Sequence, residues 1–132
     1  MRLLFLAHRI PYPPNKGDKI RSFHMLDYLS RRHEVHLGCL IDDAADMDHL
    51  TELGKRVRGL VFERIRPRLQ KLFALGALLG ARPITVDYFY SRALQRKIDA
   101  LLDEGAFDAV VCFSSPMAEY VFRSRHADGS LA

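Results

Sequence analysis

Short, uninterrupted apolar runs alternate along this chain with longer stretches in which apolar residues return every third or fourth position. Leu3 to Ala7 is the first such run, and a turn-rich segment follows it, the pattern of a strand buried on both faces. The next residues, His8 to Asp18, hold Pro11, Pro13, Pro14 and Gly17 and are excluded from helix interior. A helix is predicted to open at Gly17 or Asp18, with Ile20, Phe23, Leu26 and Leu29 inside and Ser22, Arg31 and Arg32 outside. The run over 34–41 (EVHLGCLI) predicts a second strand, stopped by Asp42 and Asp43.

A charged helix is predicted over 45–58, carried by Met47, Leu50, Leu53 and Val57, with Gly59 as its breaker and a short third strand over 60–63. Leu69, Leu72, Phe73 and Leu79 predict a helix over 67–79, loosened by Gly76 and stopped by Gly80 and Pro83. The clearest helix runs over 88–104, with Leu94, Ile98, Leu101 and Leu102 on one face and Gly105 after it. A fourth buried strand is expected over 108–113. Ser114-Ser115-Pro116 would then cap a last helix over 117–124. Residues 126–132 carry no pattern. Strands alternating with helices predict an α/β fold, a doubly wound parallel sheet of Rossmann-like type in one domain, with strand one between strands two and four. A fifth strand is due where the chain stops, so the sequence reads as unfinished.

Composition agrees with an ordinary globular chain: 132 residues, 48% hydrophobic and 27% charged. The net charge of +4 and pI near 9.3 suit phosphate-bearing ligands or anionic lipid. No zinc spacing, RNA-binding signature or long basic block points to nucleic acid. Cys39 and Cys112 lie far apart, each inside an apolar run, and are expected to be buried, reduced thiols of a cytoplasmic protein. The apolar run at the amino terminus is shorter than the roughly 7–15 residues of a secretory signal. The stretch from Leu72 to Ala81 is well short of the roughly 20 residues that span a bilayer.

Ligands of such sheets bind at the carboxyl ends of the strands, which directs attention to the loops after strands one and four. Lys16, Gly17 and Asp18 stand directly before a helix start, where free N–H groups attract phosphate; Lys16 and Arg21 add positive charge. A plain turn and N-cap explains the same residues. The spacing is not G-x-G-x-x-G, which argues against a dinucleotide. Ser114 and Ser115 offer hydroxyls to a sugar or phosphate, or simply cap a helix, and no G-x-S-x-G elbow marks a nucleophile. Among six histidines only His8, at the tip of strand one, is placed for a ligand, with Arg9 beside it, and no pair has metal-site spacing. Basic residues from Lys55 to Lys71, including Arg64, Arg66 and Arg68, run into Leu72 and Phe73. That pattern suits either a peripheral membrane contact or a core helix with a solvated basic face.

The block Arg9-Ile10-Pro11-Tyr12-Pro13-Pro14-Asn15-Lys16-Gly17-Asp18-Lys19-Ile20-Arg21-Ser22, after Arg2-Leu3-Leu4-Phe5-Leu6, resembles the opening of family 4 retaining glycosyltransferases. More narrowly it resembles the sugar transferases associated with PEP-CTERM/exosortase exopolysaccharide loci. His33 to Gly38, Arg82-Pro83 through Tyr88-Phe89 and Ser91, and Phe107 to Val111 with Phe113-Ser114-Ser115 follow in the same order.

This resemblance implies the amino-terminal, acceptor-side domain (1–132) of a two-domain GT-B enzyme. Such an enzyme moves a sugar from a nucleotide-sugar to a glycan or lipid-linked acceptor, without a metal or other cofactor. It implies that Gly17 lies near the donor diphosphate. Asp18 stands where many relatives have a second glycine, and its carboxylate would repel that group. Many relatives carry a histidine in the loop after strand four; this chain has Ser114-Ser115, so no catalytic histidine is transferred to it. The E-x7-E motif of the donor domain lies outside these residues, and the chain alone is expected to be inactive. The resemblance also favours a membrane-facing role for Arg64 to Phe73 at the inner face of the plasma membrane. The alternative is a non-catalytic Rossmann-like binding module, and in either case an open sheet edge invites association.

Overall fold

The computed structural model describes residues 1–15, 17–65, 89–105 and 107–124. Four parallel strands form one sheet: β1 (Arg2–Ala7), β2 (Glu34–Ile41), β3 (Gly59–Arg64) and β4 (Ala109–Cys112), in the order β3-β2-β1-β4. Strand one therefore lies between strands two and four, as the alternating pattern predicts. Leu4 pairs with His36 on one side and Val110 on the other, and the register continues to Leu6 opposite Gly38 and Cys112.

Because side chains alternate along a strand, the sheet supplies two cores. Leu3, Phe5, Ala7, Val35, Leu37, Cys39 and Ile41 face one side, against Leu26 of α1 (Gly17–Ser30) and Leu53 of α2 (Leu50–Gly54). Leu4, Leu6 and Leu40 face the other, against Leu94, Ile98 and Leu102 of α3 (Arg92–Glu104) and Tyr120 of α4 (Glu119–Phe122). Gly38 makes the second packing close: a Cβ there would lie 2.8 Å from Leu6 Cδ2 and 3.7 Å from Ile98 Cγ1.

Several boundaries differ from the sequence pattern, each for a local reason. The helix expected over 45–58 is a 3₁₀ turn, Ala44–His49, capped by Asp43 through Ala45 N (3.0 Å), followed by the short α2. Its last residues are drawn into the sheet, where Arg58 N donates to Val35 O at 2.8 Å. Gly59, expected as a breaker, opens β3 and packs under His36, whose Nδ1 a Cβ at 59 would meet at 2.5 Å. In α1, Ser22 is buried and Ile20 exposed, the reverse of the predicted facing. The small Ser22 lets the helix sit close, and Lys19 turns inward beside it to meet Asp46.

The helix expected over 88–104 starts at Arg92. Ser91 accepts from Leu94 N at 3.3 Å, and its own N–H donates to the Tyr120 hydroxyl at 2.8 Å. The last helix splits into a 3₁₀ turn, Ser115–Ala118, with Pro116 in its first positions, and the single turn of α4. The strand over 109–112 is half-buried, because among the described residues it pairs only with β1. The helix expected over 67–79 lies outside the described residues.

Buried polar groups tie α3 to α4. Gln95 Nε2 donates to Tyr120 O (3.0 Å) and to Asp99 Oδ1 (3.3 Å), which also accepts from Ser124 Oγ (2.6 Å). Tyr120 Oη completes the link by donating to Phe89 O at 2.6 Å. Satisfied in this way, polar residues cost little inside a core.

Candidate functional site

The carboxyl ends of β1, β2 and β4 bring four short segments together: His8 and Arg9, Asp42, Phe113 and Ser114, and the start of α1 at Gly17 and Asp18. Parallel neighbours force this meeting, since every strand leaves the sheet at the same edge. The proline-rich loop after Arg9 folds back onto the α1 side. Ile10 and Pro11 are buried, and Tyr12 packs against Phe23 and His49 at 5.8 and 5.6 Å between ring centroids. A Cβ at Gly17, where α1 begins, would meet nothing within 4 Å among the described residues.

His8 is the centre of the site. Its ring lies parallel to Phe113 (6.2 Å, 3°) and edge-on to Phe89 (5.2 Å, 79°). Nε2 stands 3.3 Å from Asp18 Oδ2, which assigns the ring proton to Nε2 and leaves Nδ1 as an acceptor. Burial pulls the His8 pKa below its usual value against the opposing pull of Asp18, so the ring is neutral at pH 7. Nδ1 is itself buried and has no hydrogen-bond partner among the described residues.

Arg9 lies between two carboxylates, 3.8 Å from Asp18 and 3.5 Å from Asp42. Its Nε meets Asp42 as a charge pair lacking hydrogen-bond geometry. With His8 neutral, one cation faces two carboxylates among the described residues of this cluster, a balance that disfavours phosphate beside Arg9. The Asp18 carboxylate, suspected from the sequence of repelling a diphosphate, is turned into this cluster.

Ser114 occupies the cap position of the 3₁₀ turn with extended backbone (φ −134°, ψ 154°), but its hydroxyl makes no capping bond. Its carbonyl accepts from Met117 N at 3.0 Å, while Oγ is buried without a partner among the described residues. Unsatisfied buried groups such as Nδ1 of His8 and Oγ of Ser114 are rare and costly. Ser115 is exposed at the start of the same turn.

Of the other residues singled out in the sequence, Arg21 is exposed one turn into α1 and Arg64 is exposed at the end of β3. Neither contacts the His8 cluster. Lys16, Arg66, Arg68, Lys71, Leu72 and Phe73 lie outside the described residues. Asp42 and Phe113 are members of the site that the sequence pattern treats only as strand ends. Their position after β2 and β4 was the available signal.

A second feature escapes a pattern reading. Lys19 Nζ and Asp46 Oδ2 form a buried ion pair at 2.9 Å that pins α1 to the 3₁₀ turn after β2. It fixes the helix whose first turn carries Asp18. No group of three or more His, Cys, Asp or Glu side chains is arranged to hold a metal ion among the described residues. Nor is any described helix long and apolar enough to cross a membrane. Comparison of the chain with protein-family models, with curated proteins and with solved structures finds no match.

Proposed function

We propose that this chain is the acceptor-side, amino-terminal domain of a retaining GT-B glycosyltransferase. The enzyme would act in exopolysaccharide synthesis at the cytoplasmic face of the membrane and transfer a sugar from a nucleotide-sugar to a glycan or lipid-linked acceptor. The observation that carries this reading is the His8 cluster. A parallel pair of aromatic rings and two carboxylates around Arg9 converge at the carboxyl edge of a parallel sheet. Such a set suits a neutral, polyhydroxylated ring: the aromatic faces take its C–H surface, and the partly exposed carboxylates of Asp18 and Asp42 take its hydroxyls.

The residues around Arg9 do not suit a diphosphate, and in this reading the donor is held elsewhere. The departing nucleoside diphosphate would be stabilised by backbone N–H groups and by Arg and Lys side chains, supplied largely by a donor-binding domain. Gly17 at the start of α1, with Lys16 and Arg21 nearby in sequence and Asp18 turned away to His8 and Arg9, is the part of the described residues that would approach it. The chain alone would then bind saccharide without transferring it.

Saturation-transfer NMR on the purified 132-residue chain tests the reading, with a panel of mono- and disaccharides and of UDP- and GDP-sugars. Saturation of saccharide ring protons that disappears in Phe113→Ala, with the far-UV circular dichroism spectrum retained, is the expected result. No response from any saccharide, or sugar transfer catalysed by this chain alone, would overturn it.

A further inference from the structure

Phe89 reaches the His8 site from none of the four strands. It stands three residues before α3, yet its ring meets the His8 imidazole edge-on at 5.2 Å. The contact is arranged from α4. The Tyr120 hydroxyl donates to Phe89 O at 2.6 Å and accepts from Ser91 N at 2.8 Å, so it grips the peptide groups on either side of Tyr90. The Tyr90 ring lies on the Tyr120 ring (5.1 Å, 27°), and its hydroxyl donates to Gln95 Oε1 at 3.2 Å. Arg123, paired with Glu119 at 2.7 Å, lies over the Tyr90 ring at 4.2 Å.

We propose that Tyr120 is a positioning residue of the His8 site: its hydroxyl holds the Phe89 ring against His8 and so sets the aromatic wall that a saccharide would meet. The Tyr120 ring is fully buried in one core cluster with Leu94, Ile98 and Met117, and that packing needs no hydroxyl. The tie between α3 and α4 does not need it either. Gln95 Nε2 donates to Tyr120 O, and Ser124 Oγ donates to Asp99 Oδ1. Both bonds of the hydroxyl go to residues 89 and 91 instead. A buried tyrosine hydroxyl must find partners, and here the partners are the backbone that carries Phe89.

The hold on Phe89 reaches the chemistry of His8. Burial is the first cause of the lowered His8 pKa, ahead of Asp18, Arg9 and Asp42, and the Phe89 ring supplies part of that burial. Those three charged residues lie on other segments, so release of Phe89 leaves them in place. The part concerning saccharide rests on the function proposed above; the hold on His8 does not.

NMR titration of the histidine imidazoles in the 132-residue chain provides the test, with His8→Asn to assign the His8 signal. Tyr120→Phe should raise the His8 pKa towards 6.5 as Phe89 is released. Phe89→Ala should raise it as far, and the double variant no further. His36, buried against Phe107, should titrate as in the parent in all three, which reports an intact fold. Saccharide affinity from saturation-transfer titration should fall about tenfold in Tyr120→Phe, the equivalent of about one hydrogen bond. Four results would overturn the inference: an unchanged His8 pKa in Tyr120→Phe, a rise that Phe89→Ala does not reproduce, a shift of His36 along with His8, or saccharide affinity equal to that of the parent. A parent chain that binds no saccharide, with His8 responding as expected, would overturn the saccharide reading and support the positioning role.

Discussion

The imidazole of His8 and the ring of Phe113 lie parallel to within 3°, their centroids 6.2 Å apart, although the residues leave the ends of different strands. Adjacent parallel pairing of β1 and β4 makes this contact, and Phe113 N–H extends that pairing by donating to Leu6 O at 2.9 Å. Phe113→Ala should remove the apolar wall of the site. Its stability cost should be roughly 1–3 kcal/mol, below the 3–5 of a fully buried phenylalanine because Phe113 is half-buried. Urea denaturation reads the stability, and saccharide titration reads the site.

Lys19 and Asp46 should behave as a pair. Lys19→Met alone leaves a buried carboxylate without its cation, and about 3 kcal/mol or more of stability should be lost. Lys19→Met combined with Asp46→Leu should recover much of that loss, since two well-packed apolar residues carry no desolvation cost. A double-mutant cycle from urea midpoints measures the coupling; additive losses would exclude it.

Acid should destabilise the fold through histidine. His36 is buried against Phe107, neither ring nitrogen has a partner among the described residues, and burial first, then Arg2 and Arg58, hold its pKa below 6.5 against Glu34 and Glu104. Because the folded pKa lies below the unfolded one, the unfolded chain binds more protons in acid. The stability is fully present above about pH 6.5 and is lost as pH falls towards the folded pKa of the group. His8 adds the same sign. Thermal melts between pH 7.5 and 5 should show the decline, and His36→Gln should flatten part of it.

Gly38 marks the closest approach of helix and sheet. Gly38→Ala should cost roughly 1–3 kcal/mol by driving a methyl group against the fully buried Leu6. Leu6→Val in the same chain should return part of that stability by removing the atom that is struck.

The two thiols should differ in reactivity. Cys39 is completely buried and its pKa is pushed up to about 12 by desolvation, whereas Cys112 is half-buried with a smaller rise. A thiol reagent at pH 8 should leave Cys39 unmodified in the native chain and label both residues once urea unfolds it. Early labelling of Cys39, followed by mass spectrometry, would contradict the burial.

Local pattern by itself determined which segments are strands and that they alternate with helices. The reason is that a strand covered on both faces needs an unbroken apolar run such as Leu3 to Ala7, and a helix such as α3 needs its apolar residues at Leu94, Ile98 and Leu102. Parallel topology and the neighbourhood of strands one, two and four followed from that alternation and the handedness of its crossovers. His8, Arg9, Asp18 and Ser114 were legible as candidates for the same reason, since strand ends are where such sheets bind ligands. Where the elements stop was decided by tertiary contact: Arg58 by its bond to Val35, Ser91 by the Tyr120 hydroxyl, and α1's facing by the pair of Lys19 with Asp46. Only the folded chain could make Asp18 the partner of His8 and Arg9, or set Phe113 against His8. Those contacts join residues from nine to about a hundred positions apart, and short-range periodicity carries no information about partners at that separation.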